Sequence, residues 1–442
     1  MRFLVGTIAH NQHIQNIVGA LYEVGVLGGV YTGGVDHWNS SLARRLRKVA
    51  GQRVPQVNAR LSRRRISTVP EELVSADWSW EGWRLFARYA GLGRLVEDWF
   101  WERSELALDR TCAKMIGTTQ YDTFFGVEHG ALFSIRAARS AGKRAVVGFL
   151  SPHHKTRERW VDPQYDRFPE LCTPATRRLR EKARQRDARR DEEARLASVI
   201  HCASSFTRNS LVAAGISPLK MVMVPLGCPA VAPVEHAPVS PPPRSLRFVY
   251  SGPVSVRKGA HLLLEAWNLL APRSGAELHF YGVVTLPKTV VERAGAGVFL
   301  HGSVSRAEMA RAYQEASVLV FPTLCDGFGM VVAEALAHGV PVIATPNAGA
   351  ADLIAEGRNG FLVPPGETAP LAERIAWCLD HADELRAMRE EARATARSWT
   401  WSDFRASFRN QLFPLLDCSL LPAEPVGQPI LAAAGFQPAE PR

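Results

Sequence analysis

A chain of 442 residues, 46% hydrophobic and 22% charged, has enough apolar content for two or three domains with cores of their own, which excludes a mainly disordered protein. Its seven cysteines, at 112, 172, 202, 228, 325, 378 and 418, form no CxxC pair, so neither a structural zinc site nor a disulfide framework is expected and a reducing compartment suits them. The formal net charge of +10 favours anionic partners.

The N-terminal MRFLVGTIAH is too brief an apolar run for a signal-peptide core, and no later segment reaches membrane-spanning length, so a cytoplasmic location is expected. Phe3 to Ile8 read as a first strand, His10-Asn11-Gln12-His13 as its exit loop, Ile14 to Val24 as a helix stopped by Gly25, and Val30 to Thr32 as a second strand. From Arg44 to Arg65 the chain carries nine Arg and Lys and no acid, a basic surface that suits anionic lipid or nucleic acid as well as plain solvation. Trp78, Trp80, Trp83, Phe86, Trp99, Phe100 and Trp101 crowd the amphipathic helical region that follows; they are expected to pack inside the N-terminal domain, with a membrane interface or an acceptor groove as the other uses.

Thr123 to Val127 form an apolar strand ending at Glu128-His129-Gly130. After an Ala-rich helix, the strand Ala145 to Leu150 ends at Ser151-Pro152-His153-His154. Ligands of open α/β sheets bind beyond the carboxyl ends of the strands, which makes Glu128, His153 and His154 candidates for a cleft. Ala175 to Leu196, dense in both signs of charge, reads as a solvent-exposed helix with no chemistry. Leu196 to Gly227 give strand, helix, turn and strand, and five prolines between Ala230 and Ser245 mark a linker.

A second unit opens with the strand Leu246 to Gly252, and Val256-Arg257-Lys258-Gly259 lead into a helix from Ala260 to Leu270, so two cations and a glycine stand at a helix start. Leu278 to Gly282 and Val298 to Gly302 read as strands, Ser305 to Ala316 as a helix, and Val318 to Phe321 as a buried parallel strand closed by Pro322. Asp326-Gly327-Phe328-Gly329 then enter a short apolar helix, Met330 to His338, stopped by Gly339-Val340-Pro341. Glycines at such an N-terminus let a ligand approach the backbone, and the unpaired N–H groups with the helix dipole favour a phosphate. Glu334, on a helix apolar on nearly every face, needs hydrogen-bond donors or a cation; two ribose hydroxyls would serve, and so would a neighbouring Arg. Taken alone, Asp326 reads first as a helix N-cap. Strand, short helix and strand follow at Pro341 to Thr345, Ala351 to Glu356 and Phe361 to Val363, then helices from Ala369 to Leu379 and Ala382 to Ser398 and a last one, introduced by Trp399-Thr400-Trp401-Ser402, to Leu416. The alternation means parallel α/β sheets.

The order D-G-F-G-x4-E-A-L-A-x-G-x-P-V-I-A-T, then G-x-x-D-L-I-x-x-G-x-N-G-F-L-V-P-P-G, closely resembles the donor-binding half of the retaining, group 1 glycosyltransferases of family 4. The resemblance implies a GT-B fold, two Rossmann-like parallel-sheet domains facing a cleft: residues 1–228 with 399–418 as the acceptor domain, 229–245 as linker, 246–398 as the nucleotide-sugar domain, and 419–442 as a disordered tail. An acidic pair in E-x7-E spacing contacts the donor in that family, and Asp326 and Glu334 stand at that spacing here, with Asp in place of the more usual Glu. The family's diphosphate turn pairs an Arg with a later Lys-Gly; Lys258 and Gly259 match, whereas Pro253 occupies the Arg position and Arg257 is the candidate substitute. The resemblance also implies a His of the first domain at the donor sugar, His153 or His154, between which spacing does not choose.

The implied roles are catalysis by Asp326, Arg257 and Lys258, and donor binding by Glu334, Gly327, Phe328, Gly329, Gly259 and one of the two histidines, with no metal and no cofactor beyond the co-substrate. The expected activity is transfer of a hexose-type sugar from a nucleoside-diphosphate sugar to a glycan, lipid-linked or small-molecule acceptor, with peripheral contact to anionic membrane and no nucleic acid. A nucleotide-sugar epimerase on the same fold is the alternative, since fold does not fix reaction. A non-enzymatic binder of anionic polymer or nucleic acid would use the basic stretch but leave Asp326, Glu334 and Lys258 unexplained.

Overall fold

The computed structural model of the chain describes residues 1–34, 64–231, 246–270 and 276–416. Most of the basic stretch, the proline-rich linker and the tail therefore lie outside the described residues. The first sheet contains β1 (Phe3–Thr7), β2 (Leu27–Gly33), β3 (Val74–Asp77), β4 (Thr123–Val127), β5 (Arg144–Phe149), β6 (Val199–Cys202) and β7 (Met221–Met223), in the order 3-2-1-4-5-6-7. The second contains β8 (Arg247–Ser251), β9 (Glu277–Tyr281), β10 (Val298–Gly302), β11 (Val318–Phe321), β12 (Val342–Ala344) and β13 (Gly360–Leu362), in the order 10-9-8-11-12-13. Neighbouring strands are parallel in both. Strands covered by helices on both faces lose the alternation of half-buried strands, and β1, β11 and β12 are accordingly apolar or small and buried at every position.

Each order reverses beside the first strand of its sheet, between β1 and β4 and between β8 and β11. A crevice opens outside the carboxyl ends of the strands at such a reversal, and it is where this architecture receives ligands. Helices α1 (Gln12–Tyr22), α2 (Ser79–Tyr89), α3 (Arg94–Ile116), α4 (Leu132–Ser140), α5 (His154–Trp160), α6 (Asp162–Arg167), α7 (Pro174–Leu196) and α8 (Ser205–Ala213) accompany the first sheet in sequence. With the second come α9 (Ala260–Leu269), α10 (Lys288–Val291), α11 (Arg306–Glu315), α12 (Met330–Ala337), α13 (Thr368–Asp380), α14 (Ala382–Ser398) and α15 (Trp401–Leu416).

The chain crosses back where the Trp-Thr-Trp segment places it. Trp399 Nε1 donates to the Pro225 carbonyl at 3.1 Å, and α15 lies on α1, with Arg405 Nη1 2.8 Å from Asn16 Oδ1 and both Arg405 and Arg409 paired with Glu23. A reverse traffic occurs at α5 and α6: Val161 and Leu171 are buried in the core of the second sheet, and Gln164 Oε1 lies 3.1 Å from His261 Nε2 on α9. No helix among the described residues is long and apolar enough to cross a membrane.

Two expectations are corrected here. The charged helix α7 is not a solvated rod, because Arg186, Asp187, Arg190 and Glu193 form a buried stripe facing the first sheet's helices and loops. Glu193 accepts the His129 and Ala131 amides at 2.8 and 3.0 Å, which explains how a carboxylate is tolerated at full burial. The aromatic region is also only partly inside: Trp83, Phe86 and Trp99 remain exposed on α2 and α3.

Candidate functional site

The turn after β8 and the loop after β11 meet at the reversal point of the second sheet. Leu324 N donates to the Arg257 carbonyl at 2.9 Å and Thr323 Oγ1 to the same oxygen at 3.3 Å, so the two segments are laced through main-chain groups. Gly259 holds φ +69° at the start of α9, and a Cβ there would collide with the Pro322 carbonyl oxygen; only glycine gives both the left-handed turn and that closeness. The result is direct pairing of the Lys258 ammonium with the Asp326 carboxylate. Lys258 also lies over the Phe321 ring, 4.8 Å from its centroid. Burial, with Arg257 alongside, depresses the Lys258 pKa well below the ordinary range, so its charge leans on the carboxylate it touches.

Asp326 is not the N-cap of α12. That position falls to Gly329, at φ +89°. Asp326 N donates to the Asn347 carbonyl at 2.9 Å, and Gly349 N and Ala350 N return bonds to the Asp326 and Phe328 carbonyls at 3.1 and 2.6 Å, pinning the loop to the exit of β12. The Phe328 ring is buried in the core, so what this residue can offer a ligand is main chain, and its amide lies 3.3 Å from Asp326 Oδ1. Arg257 is an exposed residue whose Nη1 donates to the Cys325 carbonyl at 2.7 Å. Among the described residues no carboxylate pairs with it, which leaves its charge free beside the loop.

Glu334 stands one turn into α12, and its Oε2 accepts the Tyr313 hydroxyl at 3.3 Å. The neighbouring Arg that would have explained it as an ion pair is not in contact: among the described residues the carboxylate has no salt-bridge partner. Burial raises its pKa, while the Tyr313 hydroxyl and the more distant Arg306 pull the other way. The structure therefore separates the acidic pair, Asp326 against Lys258 and Glu334 against Tyr313.

The first domain closes over the loop. Ser204 Oγ and Thr207 Oγ1 donate to the Gly327 carbonyl at 2.6 and 3.3 Å, and a Cβ on Gly327 would strike the Leu150 carbonyl oxygen at the end of β5. Asp352 of the second domain accepts from Ser205 N and Oγ at 3.2 and 2.6 Å, at the start of α8. Next to Leu150, Glu128 accepts the Leu150 and Ser151 amides at 3.0 and 2.8 Å and forms a buried ion pair with Arg190 of α7.

His153 and His154 follow, with rings 4.1 Å apart, and both present Nε2 to Asp191 of α7, at 2.9 and 3.1 Å. His153 Nδ1 accepts the Lys155 amide at 3.3 Å, which puts the ring proton on Nε2, toward the carboxylate. His153, His154 and Asp191 have the spacing of a metal site, as do His154, Glu158 and Asp187. The His153 tautomer instead fits a hydrogen-bonded pair, because the nitrogen facing Asp191 already carries a proton. Neither histidine contacts Asp326; the two halves of the site meet through Leu150 and Gly327.

Burial pushes the Cys325 thiol up, while Arg257, Arg190, Lys258 and Arg157 all pull it down, so cations from both domains converge on the residue before Asp326. Arg190, Asp191 and Arg157 were not singled out by sequence reasoning. The signal available was Glu128, a strand-end carboxylate that had to find a cation once buried.

The sequence model of the glycosyl transferases of group 1 matches residues 245–381, the segment that carries Lys258, Asp326 and Glu334. This part of the chain is a group 1 glycosyltransferase domain. The D-inositol 3-phosphate glycosyltransferase of Arthrobacter sp. (strain FB24) is 28% identical over 183 residues, 39% of this chain and 44% of that protein. The sulfoquinovosyl transferase SQD2 of Arabidopsis thaliana is 25% identical over 175 residues, 39% of this chain and 34% of that protein. The chain thus spans less than half the length of these curated relatives. Among solved structures, HepE from Anabaena in complex with UDP-glucose superposes with a TM-score of 0.58 at 15% identity, covering 93% of this chain and 99% of that one. The sucrose-phosphate synthase of Thermosynechococcus elongatus gives 0.59 at 16% identity, covering 95% and 100%. The group 1 domain and its partner together have the GT-B fold.

Proposed function

We propose that the protein transfers a hexose-type sugar from a nucleoside-diphosphate sugar to an acceptor, with retention at the anomeric carbon and without a metal ion. The observation that carries this reading is the junction of Arg257, Lys258 and the Asp326–Gly329 loop at the reversal point of the second sheet, faced by the end of β5. A leaving diphosphate gains negative charge as the glycosidic bond breaks. Cations and main-chain amides fixed in advance at that place stabilise the transition state more than the ground state. Arg257, unpaired with any described carboxylate, supplies charge where Pro253 has removed the family's arginine. Lys258 supplies it when the diphosphate takes over from Asp326 as its partner, which frees Asp326 for the sugar hydroxyls. Glu334 is half-buried and, among the described residues, its carboxylate holds only the Tyr313 hydroxyl, so it keeps acceptor capacity for the ribose. Asp191 fixes the rings of His153 and His154 beside the end of β5. The acceptor sits on the first domain, residues 1–228 with 399–418, against the donor domain, residues 246–398.

HepE was solved with UDP and with UDP-glucose, which supports a nucleotide-sugar donor without fixing its base here. The test is a thermal-shift panel of UDP-, GDP- and ADP-sugars, since a ligand that binds only the folded state raises its stability by mass action. It is followed by product analysis of the anomeric configuration, with and without EDTA. A stabilising donor, a product of retained configuration and activity in EDTA are expected. Conversion of the donor to its epimer with no transfer product would overturn the reading.

A further inference from the structure

The hairpin of α2 and α3 exposes apolar side chains that the site does not use. Gly91 and Gly93, at φ +65° and +88°, turn the chain between the helices and set Leu92 at the tip. Trp83 is 57% exposed, Phe86 55%, Leu92 49%, Trp99 41% and Val96 36%. The rings form one surface: Trp83 lies against Phe86 at 5.9 Å and over Phe100 at 6.3 Å, Phe100 meets Trp99 at 4.9 Å, and Trp99 meets Trp80 at 6.0 Å. Contiguous aromatic and aliphatic surface of this kind marks an interaction site rather than ordinary surface variation.

The charges around it are sorted. Between residues 82 and 103 the exposed charged residues are Arg88, Arg94 and Arg103, while the acids Glu97, Asp98 and Glu102 are only half-buried or less open and are engaged. Asp98 and Glu102 turn to Arg186 of α7, at 2.7 and 3.1 Å, and Glu97 pairs with Arg88 at 2.6 Å. Arg103 lies over Trp99 at 4.8 Å. An aliphatic tip with exposed tryptophans and outward arginines around it offers apolar side chains for the acyl boundary, rings for the interface and cations for the phosphates of a lipid leaflet.

We propose that the α2–α3 hairpin docks the protein on an anionic lipid bilayer. A second copy of the chain would bring one arginine rim against another. A neutral glycan could stack on the rings but has no use for Leu92, Val96 and the arginines. The proposal stands independently of the transfer reading, because it concerns a face outside the Lys258–Asp326 site.

The experiment is vesicle flotation of the full chain with phosphatidylcholine alone and with added phosphatidylglycerol, at low and high salt. Partitioning should require the anionic lipid and weaken with salt. Trp83→Ser with Trp99→Ser, Leu92→Asp, and Arg94→Glu with Arg103→Glu should each lower it by roughly tenfold or more, on the scale of removing an interfacial anchor or reversing charge near the surface. Far-UV circular dichroism and the thermal midpoint should stay unchanged. Leu92→Asp, at an exposed tip between two glycines, keeps the test valid if the tryptophan variant folds poorly. Absence of binding by the unaltered chain, or binding equal in all variants, overturns the proposal. So does a ridge variant that changes only the sedimentation mass or only retention on a soluble polysaccharide, which would assign the face to a second copy or to a glycan.

Discussion

Replacing Lys258 by Met removes one member of the buried pair and strands Asp326. A stranded carboxylate can escape by taking a proton, about three pKa units from pH 7, which caps the cost near ~4 kcal/mol; a stranded ammonium in Asp326→Leu is capped near ~5 kcal/mol in the same way. The side chains are 11% and 14% exposed, so most of each cap should be felt, about 3 kcal/mol per single variant, in the range for breaking a buried pair. For a domain of this size that lowers the thermal midpoint by roughly 6–12 °C. The double variant, Lys258→Met with Asp326→Leu, leaves no orphaned charge and should recover at least half of the loss, while transfer activity stays absent because the diphosphate has lost its lysine. Thermal unfolding of the four proteins at pH 7 measures the coupling directly. Single-variant costs below ~1 kcal/mol that simply add in the double would refute the account of a tightly coupled pair.

Glu334→Gln should leave the thermal midpoint nearly unchanged, since no ion pair is broken, yet weaken donor binding by roughly 10- to 150-fold, the worth of charge-assisted bonds to the ribose; equal donor affinity in a titration would exclude that role. Arg257→Ala should lower turnover by roughly 10²-fold, as for loss of one preorganised donor, and a change under threefold would leave Lys258 and the loop amides as the whole clamp. The stability that His201 contributes should fall as pH drops from 6.5 toward 4: the residue is buried and its pKa is lowered to about 4, so the unfolded chain binds a proton there that the folded chain refuses. That contribution is intact above 6.5, and about 3 kcal/mol is lost on reaching pH 4; the stability difference between the unaltered chain and His201→Phe should change by about that amount in denaturant titrations across this window. Gly327→Ala should push the Leu150 end of β5 away from the loop and cost activity far more than stability, which small-angle scattering and a transfer assay together resolve.

Both sheets were legible in the sequence except for the edge strand β3, Val74–Asp77, whose half-exposed and polar positions give no apolar run; strands buried on two faces announce themselves as short apolar runs and the breaks between them carry glycine and proline. Val298 to Gly302, Val318 to Phe321 and Ala382 to Ser398 fall where the periodicity places them. The site was legible where chemistry and chain direction coincide, as at Lys258-Gly259 and the Asp326–Gly329 loop. It was not legible in α7, whose arginines and acids look alike in composition although only every third or fourth faces inward. Nor did helix periodicity tell Trp83 and Trp99, which stay outside, from residues such as Leu108 and Cys112 of α3, which do not. Which partner would satisfy Glu334 depended on a tyrosine twenty-one residues away, and pairings across elements leave no local trace.

Asp352 accepts the first amide of α8, that of Ser205, from the other domain, and the hydroxyls of Ser204 and Thr207 reach back to the Gly327 carbonyl. Water can replace each of these bonds once the domains part, so opening exchanges partners instead of losing them, at a net cost of ~0.5–1.5 kcal/mol for a neutral bond and ~1.5–3 kcal/mol for one to a charged group such as Asp352. These bonds therefore add little of their own against parting the domains. A ligand that touches both halves would add its preference for the shut form to theirs, and its departure as product would return these groups to water.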